Sequence, residues 1–236
     1  RGMFAFAIWD CRQEQLFLAR DRLGIKPLHY TVVAGQSLVF GSEIKAILQD
    51  GTVPRRVNFD ALSEYVSLLY VPDPATMFAG IHKLPPAHTL ICNRHGIRVR
   101  KYWDVRYDVN ESLTEEQATG QLLDLLKGTV KDHLLSDVPL GAFLSGGVDS
   151  SAIVGLMQQV ITGKLVTSSI GFEEAEYNEL PYARQMAQRF GAEHHEHIVH
   201  PDIERMFPLL VWSFDEPFAD SSAIPTYYVS KTAREH

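Results

Sequence analysis

The sequence has 236 residues, 45% hydrophobic and 22% charged, with 22 basic against 29 acidic side chains and a net charge of -7. This is a globular composition of a length that suits one large domain or two modest ones. The acidic balance argues against a nucleic-acid binder, and no apolar run approaches the roughly 20 residues that cross a bilayer.

No signal peptide opens the chain. Cys11 and Cys92 are too few for a disulfide framework and lack metal-site spacing, so a reducing, cytoplasmic setting is expected. The chain opens inside an apolar run, Arg1-Gly2-Met3-Phe4, and closes in a helical pattern, Lys231 to His236. It is therefore read as an internal piece of a longer protein.

Residues 1–52 read as β structure. The runs Met3 to Asp10, Gln15 to Arg20, Leu28 to Val33 and Ser37 to Phe40 are short and apolar, with Ala34-Gly35-Gln36 between the last two. Strands so close in sequence pair antiparallel, and residues 43–49 suit a brief helix. Residues 53–111 read as a connector rich in proline and glycine. Asn58 can cap a helix carrying Leu62, Tyr65, Val66 and Leu69, stopped by Pro72 and Pro74. His88 to Cys92 and Ile97 to Tyr102 form a hairpin.

From about residue 112 the period changes. Thr114-Glu115-Glu116-Gln117 has capping-box spacing, and Leu122, Leu126, Val130 and Leu134 recur every four residues. Strands at 140–144, 165–170 and 194–199 alternate with helices at 150–160 and 179–190. Such alternation predicts a doubly wound parallel sheet over 112–236, so the fold class is α/β with an antiparallel N-terminal part.

The informative segment is Leu144-Ser145-Gly146-Gly147-Val148-Asp149-Ser150-Ser151. A buried strand runs into two glycines and then a helix, at the carboxyl end of the strand, where open α/β folds bind ligands. A helix N-terminus presents unpaired N–H groups and the positive end of its dipole, which suits an anion. Ser145, Ser150 and Ser151 add hydroxyl donors. Asp149 would repel a phosphate unless a divalent cation bridges the two, so the set suggests a magnesium–polyphosphate pocket. A merely structural strand–helix turn is the alternative.

Ser145 to Ser151 resembles the PP-loop of the ATP pyrophosphatases. The wider chain resembles the glutamine-hydrolysing asparagine synthetases, through Gly2 to Phe6, Ala19-Arg20-Asp21-Arg22-Leu23-Gly24-Ile25-Lys26-Pro27-Leu28, Gly41 to Ala46, Leu84-Pro85-Pro86, Ser136 to Pro139, Ser169 to Phe172 and His194-His195-Glu196. The resemblance implies the tail of an Ntn-type glutamine amidotransferase domain followed by the first half of a synthetase domain. It implies adenylation of a carboxylate by ATP with loss of pyrophosphate, then attack by ammonia from glutamine. Ser145, Gly146, Gly147, Ser150 and Ser151 would hold pyrophosphate, Asp149 magnesium, and the Leu144 and Ile170 backbones adenine or ribose.

The family's N-terminal cysteine nucleophile and glutamine-binding segments, and its second acidic-glycine loop, lie outside this sequence; Cys11 is placed inside the wrong strand to replace the nucleophile. The chain alone is expected to hydrolyse no glutamine and to make little or no amide. Asp215, Glu216, Asp220 and Ser221 are candidates for the acceptor site, with turn formation and capping by Asp220 or Ser221 as the alternative. Ser221 aligns where aspartate-specific members carry an arginine, so the acceptor is aspartate or another carboxylate. A cyclase of the β-lactam synthetase kind, and a non-catalytic relic of the fold, are the rival readings.

Remaining features have structural readings. Glu193 to His197 suits a half-buried strand with His–carboxylate pairs, rather than a metal site. Glu173-Glu174-Ala175-Glu176 suits a solvated loop. Asn178 and Glu179, after Tyr177, start a helix, with nucleotide contact as the alternative. Arg20-Asp21-Arg22 suits a salt-bridged turn. Met3 and Phe143 fall where the family lines its ammonia passage, with core packing as the alternative. A parallel sheet with an open edge also makes a homodimer or domain-swapped form an expectation.

Overall fold

A computed structural model describes residues 2–33, 37–174, 176, 178–200 and 202–236. Arg1, the expected turn Ala34-Gly35-Gln36, and Ala175 and Tyr177 of the acidic stretch lie outside the described residues. The chain divides into two compact units: 1–108 with 207–220, and 109–206 with 221–236.

The first unit carries two antiparallel sheets. One has the order β1 (Ala5–Asp10), β2 (Gln15–Arg20), β6 (His88–Asn93) and β7 (Gly96–Lys101). The other has the order β4 (Ser37–Gly41), β3 (His29–Val33) and β5 (Ile81–Lys83). The hairpin and β5, read from sequence as connector, are therefore partners of β2 and β3, with Leu18 opposite Leu90 and Thr31 opposite Ile81. Leu18, Leu28, Leu84 and Leu90 fill one core cluster, and Ile44, Ile47, Val53 and Ile81 another. Between β4 and the later strands lie α1 (Ile44–Ile47) and α2 (Phe59–Leu68).

Asn58 caps α2 by accepting the Ala61 N–H. The helix ends earlier than Pro72, because Leu69 turns into the left-handed region at φ 65° and closes it. Cys11 follows β1 in an exposed turn, a correction to its expected place within a strand.

The second unit is built on a parallel sheet of order β10 (Glu193–Ile198), β9 (Val166–Gly171) and β8 (Gly141–Phe143). The crossovers through α4 (Val148–Val160) and α5 (Leu180–Phe190) put these helices against one core with α3 (Glu115–His133). Thr114 and Gln117 form the expected reciprocal capping box of α3. Val130 is buried and Leu126 and Leu134 pack on the cluster, but Leu122 is exposed, so the apolar stripe is used only in its second half.

The helix α7 (Ala223–Glu235) packs along β9 and β10. Helix α6 (Ile203–Phe214) precedes it, and from Phe207 on it belongs to the first unit. Among the described residues no helix is long and apolar enough to cross a membrane.

Candidate nucleotide site

Leu144 directly follows β8; its N–H donates to Ser168 O at 3.0 Å and its carbonyl accepts from the buried Ser169 hydroxyl. This fixes the last residue before the glycine turn. Gly146 then adopts φ +80°, and a Cβ there would lie 2.6 Å from Ala183 N and Tyr182 Cβ. Glycine is required for both reasons, since the left-handed conformation and the contact with α5 exclude a side chain.

The turn is tied internally. Ser145 and Ser150 hydroxyls lie 2.8 Å apart, the Gly147 N–H donates to Ser145 Oγ at 3.2 Å, and Ser150 Oγ donates to Gly147 O at 3.2 Å. Gly147 is the N-cap of α4 and offers no side-chain cap. The amides of Val148, Asp149 and Ser150 consequently have no acceptor among the described residues. Ser151 Oγ is buried without a hydrogen-bond partner among them as well. Asp149 is exposed in the first turn of α4.

A cavity of about 320 Å³ opens beside this turn. Phe143, Leu144, Ser145, Ser150 and Ile170 line it, with Ser168 and Ser169 from the middle of β9 and Glu179, Ser222 and Thr226 among the other wall residues. The volume is at the lower end of ligand pockets, which run from roughly 300 Å³ upward. Of the residues singled out in sequence, Gly146, Gly147, Asp149 and Ser151 belong to the turn and helix start without lining the cavity. Glu179 is here the nucleotide-contact alternative of the sequence, whereas Ser222 and Thr226 are polar wall residues to which the sequence reading gives no such role.

The acceptor candidates fall in both units. Asp215 and Glu216 belong to the first, where Asp215 pairs with Lys45 at 3.0 Å and Glu216 with Lys83 at 3.3 Å. Glu216 also accepts the Met77 N–H. Burial alone would lower the Lys45 pKa, but hydrogen bonds and charge from Asp215 and Glu43 outweigh it and push the pKa up. Asp220 ends that segment and Ser221 begins the second unit's last one. The cap position of α7 is Ser222, one residue beyond the expected Asp220 or Ser221, and it makes no side-chain capping bond.

In the Arg20-Asp21-Arg22 turn Arg20 carries an ion pair, to Asp73, whereas Asp21 is held by backbone donors. Asp21, 1% exposed, accepts backbone N–H groups from Phe4, Leu23, Ile25 and Lys26. Burial disfavours its charge, yet these four donors more than compensate, and its pKa lies below the usual carboxylate value. Arg20 instead donates to the carbonyls of Gly24, Lys26 and Leu84, with Asp73 at 3.4 Å.

On β10, His195 pairs with Glu193 at 3.1 Å and His194 faces Glu196 at 3.3 Å, while Glu196 also binds Arg184. Burial, partly offset by Glu196, lowers the His194 pKa. Among the described residues no group of three or more His, Cys, Asp and Glu is placed to hold a metal. Met3 and Phe143 are both about half exposed, so neither packs in a core.

Comparison with known proteins matches residues 121–236 to the asparagine synthase family and residues 1–103 to the glutamine amidotransferase domain family. Asparagine synthetase [glutamine-hydrolyzing] 1 of Bacillus subtilis is 36% identical over 100% of this chain and 37% of its own length. Residues 121–236 belong to the asparagine synthase family. A putative asparagine synthetase [glutamine-hydrolyzing] 2 of Methanocaldococcus jannaschii is 38% identical over 99% of the chain and 46% of its own length. An amidase, chry2, of Gibberella zeae is 32% identical over 93% of the chain and 35% of its own length. The chain thus spans less than half the length of these asparagine synthase relatives.

Proposed function

We propose that residues 144–151, with Ile170, form the ATP site of a glutamine-dependent, amide-forming ligase of the asparagine synthase kind. The observation that carries this reading is the start of α4: three first-turn amides without acceptors and an unpartnered Ser151 hydroxyl, beside a cavity at the carboxyl ends of β8 and β9. The Val148, Asp149 and Ser150 amides would hold the β and γ phosphates, and the Ser145 and Ser150 hydroxyls would brace the turn that presents those amides. Negative charge grows on pyrophosphate as it leaves the α-phosphorus. Donors fixed in advance by the Ser145–Ser150 hydrogen bonds stabilise that charge without reorganising.

The donor set also fits magnesium. Asp149 is an exposed carboxylate next to the phosphate cradle, and magnesium is typically held by one or two carboxylates together with substrate phosphates. The ion would supply neutralisation of phosphate charge. In the whole protein, ammonia from glutamine would displace AMP from the activated carboxylate; aspartate, or another carboxylate, is the acceptor. Asp220 and Ser221, next to the cavity residue Ser222, are the acceptor-side candidates closest in sequence to this site. The sheet edges β8 and β10, each paired with β9 among the described strands, are the surfaces for self-association.

Calorimetric titration of the chain with ATP tests this reading, with and without magnesium and against Asp149→Ala. ATP should bind the wild type more tightly with magnesium, and Asp149→Ala should lose that enhancement. An absence of ATP binding under every condition would overturn the assignment and favour a relic of the fold.

A further inference from the structure

The cavity beside the PP-loop has one charged wall residue among the described ones, Glu179. It occupies the N-cap position of α5 yet makes no side-chain capping bond; Asn178 Oδ1 accepts the Leu180 N–H in its place. The Glu179 carbonyl accepts from Tyr182 and Ala183 N–H groups, so its backbone is held while its carboxylate has no hydrogen-bond or ion-pair partner among the described residues.

Two glycines press this helix start into place. A Cβ on Gly171 would meet Asn178 Oδ1 at 2.7 Å and Leu180 Cγ at 2.6 Å. A Cβ on Gly146 would meet Tyr182 and Ala183, so the same turn of α5 is clamped against both the PP-loop and the end of β9. A carboxylate held there, apart from the α4 amides that favour phosphate, is a feature that folding alone does not require.

We propose that Glu179 is a specificity residue for the nucleoside part of the ligand, accepting hydrogen bonds from the vicinal 2′- and 3′-hydroxyls of ribose. A carboxylate offers two oxygens to a diol, repels no group on a sugar, and rejects a ligand lacking a hydroxyl because its lone pairs are then left unmatched. Acidic residues at the carboxyl end of a parallel sheet meet ribose hydroxyls in the same way in dinucleotide-binding folds. This inference rests on the ATP reading above.

The test is calorimetric binding of ATP, 2′-deoxy-ATP and 3′-deoxy-ATP, each with magnesium, to the wild type, Glu179→Gln and Glu179→Ala, with inorganic tripolyphosphate as a ligand that has no sugar. In the wild type, loss of a hydroxyl should weaken binding roughly tenfold, the size of a hydrogen bond to a charged group. In both variants ATP should bind about as weakly as its deoxy analogues, while tripolyphosphate affinity stays at the wild-type level and so reports an intact cradle. Undiminished discrimination between ATP and its deoxy analogues in the variants would overturn the proposal. So would a changed magnesium dependence with discrimination retained, which would make Glu179 a metal ligand. Failure of the wild type to bind ATP or tripolyphosphate would overturn the ATP reading itself.

Discussion

Replacing Gly146 by alanine tests the PP-loop geometry most sharply. At φ +80° an L-residue loses about 1–2 kcal/mol to left-handed strain. The new methyl would also lie 2.6 Å from Ala183 N and Tyr182 Cβ, forcing the first turn of α5 away from the loop at about 1–3 kcal/mol. Together these give about 2–5 kcal/mol, a fall in melting temperature of roughly 10 °C. Gly147→Ala is the control. Gly147 is at φ -68°, and its Cβ would meet only Ser145 Oγ, at 3.3 Å. A rotatable hydroxyl can yield, and alanine lowers unfolded-chain entropy, so its stability should stay within about 1 kcal/mol of the wild type. Scanning calorimetry on the two variants, followed by ATP titration, separates them: Gly146→Ala should melt early and bind ATP weakly. Equal melting of Gly146→Ala and wild type would refute the argument.

Other consequences concern the first unit and the histidines. Asp21→Asn removes a charged acceptor from buried N–H groups and should destabilise by about 2–3 kcal/mol in urea unfolding at neutral pH. Because the folded-state pKa of Asp21 is depressed, its contribution is present above the unfolded value near 3.9 and is lost as pH falls through the folded pKa; Asp21→Asn should flatten that acid limb. Asp215→Ala strands the half-buried Lys45 and should cost about 2–4 kcal/mol in urea unfolding. Burial lowers the pKa of both His29 and His194, so the unfolded chain takes up more protons just below about pH 6.5. Stability should fall as pH drops through that window, and His194→Gln should reduce the slope measured by thermal melts at successive pH values.

Local signals in the sequence carried much of this fold. Asn58, the Thr114–Gln117 capping box and the strand–glycine–helix run at 144–151 are read within a few residues, because caps and turns depend on neighbours in sequence. Pairing across long separations was not legible: nothing local to His88–Asn93 says that it joins β2, or that Ile81–Lys83 joins β3. The same holds for the site. Gly146 is legible in sequence as part of a turn, but its contact with α5 is set by residues 182–183. Ser222 and Thr226 reach the cavity only because α7 packs along β9. The charge at Asp215 and Glu216 reads as a cluster in sequence, whereas its partners Lys45 and Lys83 lie far back in the chain.

The central claim is that backbone donors at the start of α4 hold phosphate oxygens. Amide NMR of the chain titrated with magnesium-ATP measures this directly. The resonances of Gly146 to Ser151 should move first and saturate together, with pyrophosphate alone reproducing most of the change. Shifts confined to other segments, with residues 146–151 unmoved at saturating ATP, would contradict it.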